Sequence, residues 1–162
     1  MPDFDTIITE VLKKPLNFIN KKASMARDKY HNDVREALQS DGWIITHDPY
    51  YINADGINYP VDLGAEKIIA AEKEGHKIAV EIKSFLAESL VNEFHGALGQ
   101  YLDYEMGLEE QEPDRNIFLA IPSEVWDRMQ RLPFLLKVLE KFGVDLIIFE
   151  PDKNNIVQWI KR

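Results

Sequence analysis

The fold is decided by Lys77-Ile78-Ala79-Val80-Glu81-Ile82-Lys83. Ile78, Val80 and Ile82 are branched and apolar, while the alternate positions are mostly polar. That is the period of a β-strand, in which successive side chains point to opposite faces. The pattern sends Ile78, Val80 and Ile82 into a core and sets Glu81 and Lys83 together on the other face. Their Cα atoms are then ~6.6 Å apart at strand rise. Upstream, Glu74-Gly75 makes a hairpin turn, with residues 59 to 72 extended on its far side.

Working outward, Tyr30, Val34, Ala37 and Leu38 recur at helical spacing up to Asp41-Gly42, and Trp43 to Thr46 reads as a strand. A turn-rich stretch surrounds Asn53, Asp55 and Gly56. Leu90, Phe94, Ala97, Leu98 and Tyr101 mark a helix, and Ile117 to Ile121 a buried strand stopped by Pro122. A helical stretch from Ser123 to Phe142 breaks near Pro133. Strands follow at Val144 to Phe149 and Ile156 to Ile160. The order is helix, three strands, helix, strand, helix, strand, strand. It predicts an α/β (α+β) fold with a central mixed sheet flanked by helices. The Leu132, Leu135, Leu136 and Leu139 stripe reads as core rather than as a partner zipper.

At 162 residues, 45% apolar and 29% charged, the chain has the size and composition of one globular domain. It contains no cysteine, so any bound metal uses oxygen or imidazole ligands. No pair among His47, His76 and His95 has zinc-ligand spacing, and there is neither a Gly-rich phosphate loop nor a Gly-x-Ser-x-Gly elbow. No apolar run approaches the ~20 residues that span a bilayer, and the acidic N-terminus lacks a signal peptide's apolar stretch. These features predict a cytoplasmic protein without membrane contact.

Residues 1–24 carry a short amphipathic pattern, Ile7, Ile8, Val11 and Leu12, ended by Pro15. They are read as an accessory arm, with 25–162 as the single domain. An ordinary helix packed on that domain is the alternative. The net charge of −9 opposes DNA binding, which draws on Lys and Arg contacts to phosphate. The arm does not mask a basic domain, because it holds four Lys and three acidic residues and leaves −10 on the remainder.

Asp62 lies 19 residues before Glu81 on what should be a neighbouring strand, so a hairpin can bring the two carboxylates together. Two carboxylates and a backbone carbonyl form a hard oxygen site suited to Mg²⁺ or Mn²⁺. Lys83 would then orient a nucleophile or stabilise charge on a phosphoryl group. Taken alone, an Asp and a Glu-x-Lys also fit a solvated strand face. Glu66 shares the parity of Asp62 but would stand ~13 Å from it on a straight strand, too far to share an ion.

Asp62 with Glu81-Ile82-Lys83 resembles the PD-(D/E)XK nuclease signature. Four longer strings are similar to the XisH family of fdxN element excision controlling factors: Gly42-Trp43 through His47-Asp48-Pro49, Val61-Asp62-Leu63-Gly64-Ala65-Glu66, Ala79-Val80-Glu81-Ile82-Lys83-Ser84-Phe85 and Ala97-Leu98-Gly99-Gln100-Tyr101. The likeness covers most of the chain from Met25 onward. It implies a restriction-endonuclease-like fold, a role in excising a DNA element, and a small XisI-like protein partner. The catalytic set it implies is Asp62, Glu81 and Lys83, with Asp62 and Glu81 as metal ligands. Val61 separates Pro60 from Asp62, so the Pro-Asp dipeptide itself is absent.

Gln100 and Tyr104 share a helix face and resemble an accessory Gln-x-x-x-Tyr motif of related nucleases, although helix packing alone would also place them there. His31 stands where resolvase-like relatives carry a first-helix Glu. Two functions follow as expectations. One is a Mg²⁺- or Mn²⁺-dependent DNA endonuclease or nuclease-derived DNA-processing factor. The other is a non-catalytic protein that regulates a recombinase by contact. The assembly state is left open, with a homo-oligomer among the forms allowed. Residues 25–162 are expected to fold alone, giving one cooperative thermal transition within a few degrees of the full chain; an unfolded product would make the arm part of the core.

Overall fold

The computed structural model describes residues 29–59 and 68–162. The N-terminal arm and Asp62 lie outside the described residues. A first helix, α1, covers residues 29–40. It is followed by β1 (Ile44–His47), β2 (Ile52–Ala54), β3 (Ile57–Tyr59), β4 (Ile68–Lys73) and β5 (His76–Ile82). Then come α2 (Leu90–Gln111), β6 (Arg115–Pro122), α3 (Ser123–Met129), α4 (Pro133–Lys141), β7 (Leu146–Glu150) and β8 (Asn155–Ile160).

Six strands form one mixed sheet in the order β1-β4-β5-β6-β7-β8. The β5/β6 and β6/β7 pairs are parallel, and the β1/β4, β4/β5 and β7/β8 pairs antiparallel. Parallel neighbours need a crossover, and α2 supplies the one from β5 to β6. The β4–β5 turn has positive φ at both central residues, Glu74 at 52° and Gly75 at 80°, the backbone of a tight hairpin. Asp55 and Gly56, at 50° and 79°, close β2 and β3 into a second, separate hairpin in the same way. The sequence showed its turn residues but not its short strands.

The sheet is covered on both faces. Val34 and Leu38 of α1 pack with Ile69, Ile78, Val80, Ile82, Phe118 and Phe149 on one face. Phe94, Ala97, Tyr101 and Leu108 of α2 pack with Ala79, Leu119, Ile121 and residues of α3 and α4 on the other. Leu135 and Leu139 are buried and Leu136 partly so, which bears out the core reading of the leucine stripe, whereas Leu132 is exposed. No described helix is long and apolar enough to cross a membrane.

Polar contacts fix α2 along its length. Tyr101 donates its hydroxyl to the Ile117 carbonyl at 3.2 Å and accepts the Asp145 N–H at 3.1 Å. At the C-terminal end of α2, the buried Arg115 guanidinium forks onto Glu112 with Nε–Oε2 at 2.6 Å and Nη2–Oε1 at 3.1 Å. It also donates to the Ile78 carbonyl at 2.9 Å and lies 5.0 Å from the Tyr50 ring centroid. Tyr50 in turn donates to Glu112 at 2.7 Å.

The Arg115 hydrogen bonds hold the Glu112 carboxyl at about 2, below its ordinary 4.5, against the opposing effect of burial. A pKa depressed on folding contributes stability that is complete above the unfolded value and lost as pH falls toward the folded one. Denaturant midpoints should therefore fall between about pH 4.5 and about pH 2. Glu112→Gln should flatten that limb and cost about 1–3 kcal/mol at neutral pH, because it weakens the pairing of a buried guanidinium. An unchanged acid limb in the variant would refute the assignment.

Candidate active site

β5 is a central strand, so its two side-chain rows meet the two covered faces. Ile78, Val80 and Ile82 join the α1 side as their period predicts. Glu81 shares the parity of Ala79 and therefore points toward α2. The alternative of a solvated face fails here, since Glu81 is only 1% exposed. The sequence shows that Glu81 leaves the Ile78 face but not that a helix covers the face it joins.

Lys83 stands just past the end of β5, and its N–H donates to the Ala120 carbonyl at 3.0 Å, extending the parallel ladder by one residue. Its Nζ lies 3.4 Å from Glu81 Oε1, with the Lys83 side chain 19% exposed. A buried carboxylate is costly unless paired, and this ammonium offsets part of that cost. Two residues on, Phe85 adopts φ 52° while its side chain is buried. Left-handed backbone is strained for a bulky residue and recurs where the surrounding structure holds a functional loop in place.

Gln100 and Tyr104 share one stripe of α2, at i and i+4. Tyr104 is buried, and Gln100 keeps Oε1 buried without a hydrogen-bond partner among the described residues. Glu93, one heptad before Gln100, has a buried Oε2 in the same condition. A buried acceptor left without a donor costs about 1–3 kcal/mol. The sequence reading missed Glu93. Its signal was the seven-residue spacing to Gln100, which keeps both on one helix face.

His31 takes a different place. Its Nε2 lies 2.8 Å from Asp48 Oδ1, and Arg35 Nη1 holds the other oxygen of that carboxylate at 2.8 Å. This cluster joins α1 to the segment after β1. His31 is thus held by a carboxylate from the chain between β1 and Tyr50, and Tyr50 itself joins the α2-side core.

Asp62 lies outside the described residues, between the end of β3 at Tyr59 and the start of β4 at Ile68. Ile68 pairs with Glu81. β4 therefore begins directly beside Glu81. Among the described residues no three His, Asp or Glu side chains form a metal-ligand cluster. The donors present are carboxylate and amide oxygens, and buried acceptors without donors suit a hard cation better than zinc or copper.

A six-stranded mixed sheet with a crossover helix and helices on both faces is the architecture of a restriction-endonuclease-like fold. The XisH protein family matches residues 24–157, and the chain belongs to that family. Two crystal structures are similar over most of the chain. An fdxN element excision controlling factor protein from Anabaena variabilis shares 40% identity at a TM-score of 0.76, covering 83% of this chain and 99% of its own. An XisH family protein from Nostoc punctiforme shares 40% identity at a TM-score of 0.75, covering 82% and 98%. No curated protein matches the chain.

An experimental structure covering residues 60–67 is expected to put the Asp62 carboxylate within about 8 Å of Glu81, the reach of one ion or a two-metal pair. A longer separation would remove Asp62 from the site.

Proposed function

We propose that this protein acts on DNA during excision of a genetic element, as a Mg²⁺- or Mn²⁺-dependent endonuclease centred on Asp62, Glu81 and Lys83. The observation that carries the reading is a carboxylate 1% exposed, with an ammonium 3.4 Å away, at the end of a central strand in this fold. The Anabaena relative's description as an excision controlling factor supplies the biological setting.

Asp62 and Glu81 would hold the cation, which when bound polarises a phosphoryl oxygen and lowers the pKa of a water. Lys83, partly exposed, is free to swing its ammonium from Glu81 to a non-bridging phosphate oxygen, where it offsets the charge that builds during displacement. Hydrolysis forms one P–O bond to water and breaks the bond to the leaving sugar oxygen, which takes up a proton. Burial of Glu81 excludes bulk water and keeps these electrostatic effects strong. Gln100 and Tyr104 belong to the α2 wall of the same face.

A second reading has its own observation. Phe134 is 72% exposed, Phe142 45% and Leu132 38%, all on or beside α4. A groove on the same helix is lined by Trp126, Leu136, Lys137, Glu140, Lys141 and Arg162. An apolar surface of this kind suits a protein partner, an XisI-like one by family resemblance, and a controlling role by contact without cutting.

Cleavage of linear duplexes, single strands or branched junctions should require Mg²⁺ or Mn²⁺ and stop with chelator. Glu81→Gln should abolish it with the fold intact. Lys83→Ala should lower it about 100- to 1000-fold while metal binding persists. Ca²⁺ should fill the site and support little turnover. Metal binding without cleavage of any of these substrates would favour the contact reading.

A further inference from the structure

We infer that the cation centre has a second half carried by α2, with Glu93 and Gln100 supplying oxygens that face the Glu81 carboxylate. The inference rests on the metal-dependent reading above and adds Glu93, which neither the nuclease signature nor the accessory Gln-x-x-x-Tyr motif contains.

The first support is helical phase. Glu93, Ala97, Gln100, Tyr104 and Gln111 fall at i, i+4, i+7, i+11 and i+18, a single stripe of α2. Gln111 shows which way that stripe looks. Its side chain accepts the Asn53 N–H at 2.6 Å and donates to the Tyr51 carbonyl at 3.2 Å, toward the β2 hairpin. The neighbouring stripe looks the other way, for Tyr101 and Glu105 line a cavity with Asp145 at the start of β7. The Glu93–Gln100 stripe therefore lies on the flank of α2 away from β7, the side of the sheet that holds β5 and β4.

The second support is height along the sheet. Tyr101 reaches the Ile117 carbonyl, and Ile117 pairs with Ala79. Glu81 stands two residues farther along β5, ~6.6 Å. Because α2 runs back against β5, four helical residues toward its N-terminus cover ~6 Å and arrive at Ala97. A small side chain thus stands over Glu81, with Glu93 one turn above it and Gln100 one turn below.

The third is that both residues bury an acceptor with no donor among the described residues, Glu93 Oε2 and Gln100 Oε1. First-turn position explains an acid at Glu93, since helix N-termini favour negative charge, but it does not explain why that oxygen is buried. Oxygens kept without donors on one flank match a divalent cation such as Mg²⁺ or Mn²⁺, reached directly or through ordered water.

Mn²⁺ titration calorimetry and metal-induced thermal shifts on the full chain test this without any nucleic acid. Glu93→Gln and Gln100→Leu should each weaken Mn²⁺ binding about 10- to 100-fold and shrink the metal-induced rise in Tm. Their metal-free Tm should stay close to that of the wild type, since relief of an unpaired buried acceptor offsets the small loss of first-turn charge at Glu93. Wild-type Mn²⁺ affinity in both variants, with affinity lost in Glu81→Gln, would overturn the α2 half and leave the Glu81 centre standing. Wild-type affinity in Glu81→Gln would remove the centre itself. A metal-free Tm in Glu93→Gln lowered well beyond the loss of one first-turn charge would make Glu93 a packing residue and also overturn the inference.

Discussion

A carboxylate inside a sheet covered on both faces is the constraint around which this protein is arranged. β5 and β6 run parallel, so the chain between them must cross back over the sheet, and α2 does so on the face that Glu81 occupies. The topology that makes the sheet thus also buries its acid. Glu81 would be expensive there without Lys83, and Lys83 reaches it because the chain stays in the ladder one residue past β5. Arg115 and Glu112 secure the other end of the same β5–α2–β6 unit, and Tyr101 pins its middle. An error in the placement of α2 would disturb all three at once.

These two poles of α2 handle polar burial differently. Around Arg115, carboxylate, carbonyl and ring are all supplied by the chain, and the network serves stability. Toward the Glu81 end, Glu93 and Gln100 keep buried oxygens for which the described residues provide no donor. Evolution tolerates incompletely satisfied polar groups chiefly where they serve function, and the strained backbone at Phe85 lies in the same connection. The fold alone would not choose an activity, because one architecture hosts many; the contrast between the poles is what argues for a site.

Much of this was legible in the residues. Alternation in Lys77 to Lys83 set β5 and its faces, Glu74-Gly75 set the hairpin, and Pro122 and Pro133 marked where β6 ends and α4 begins. The three-residue strands β2 and β3 were passed over despite Asp55-Gly56, because so short a run shows no period. The burial of Glu81 could not be read locally, since polar alternation looks the same whether the second face meets water or a helix. Glu93 escaped for a related reason: an acid in a first helical turn satisfies the helix dipole, and only the tertiary position of α2 shows its oxygen to be buried. His31 was legible as a helix residue, but its partner Asp48 comes from beyond the next strand.

Net charge is where the sequence argued most strongly against DNA, and its distribution alters the weight of that argument. Glu105, Glu109, Glu110, Glu112 and Asp114 cluster where α2 ends and β6 begins, with Asp145 close enough that it and Glu109 add to the effect of burial in raising the Glu105 carboxyl. That pole is separated from Lys83 by the length of β5, about 20 Å at strand rise. The screening length at physiological salt is about 8 Å, so exposed charges at the acidic pole exert little force on a phosphate beside Lys83. On the proposed reading, what a phosphate would meet there is set locally, by Lys83, by Glu81 and by a divalent cation if one is bound. The −9 total therefore limits non-specific attraction to DNA over distance and leaves the chemistry at the end of β5 to be decided by its own few groups.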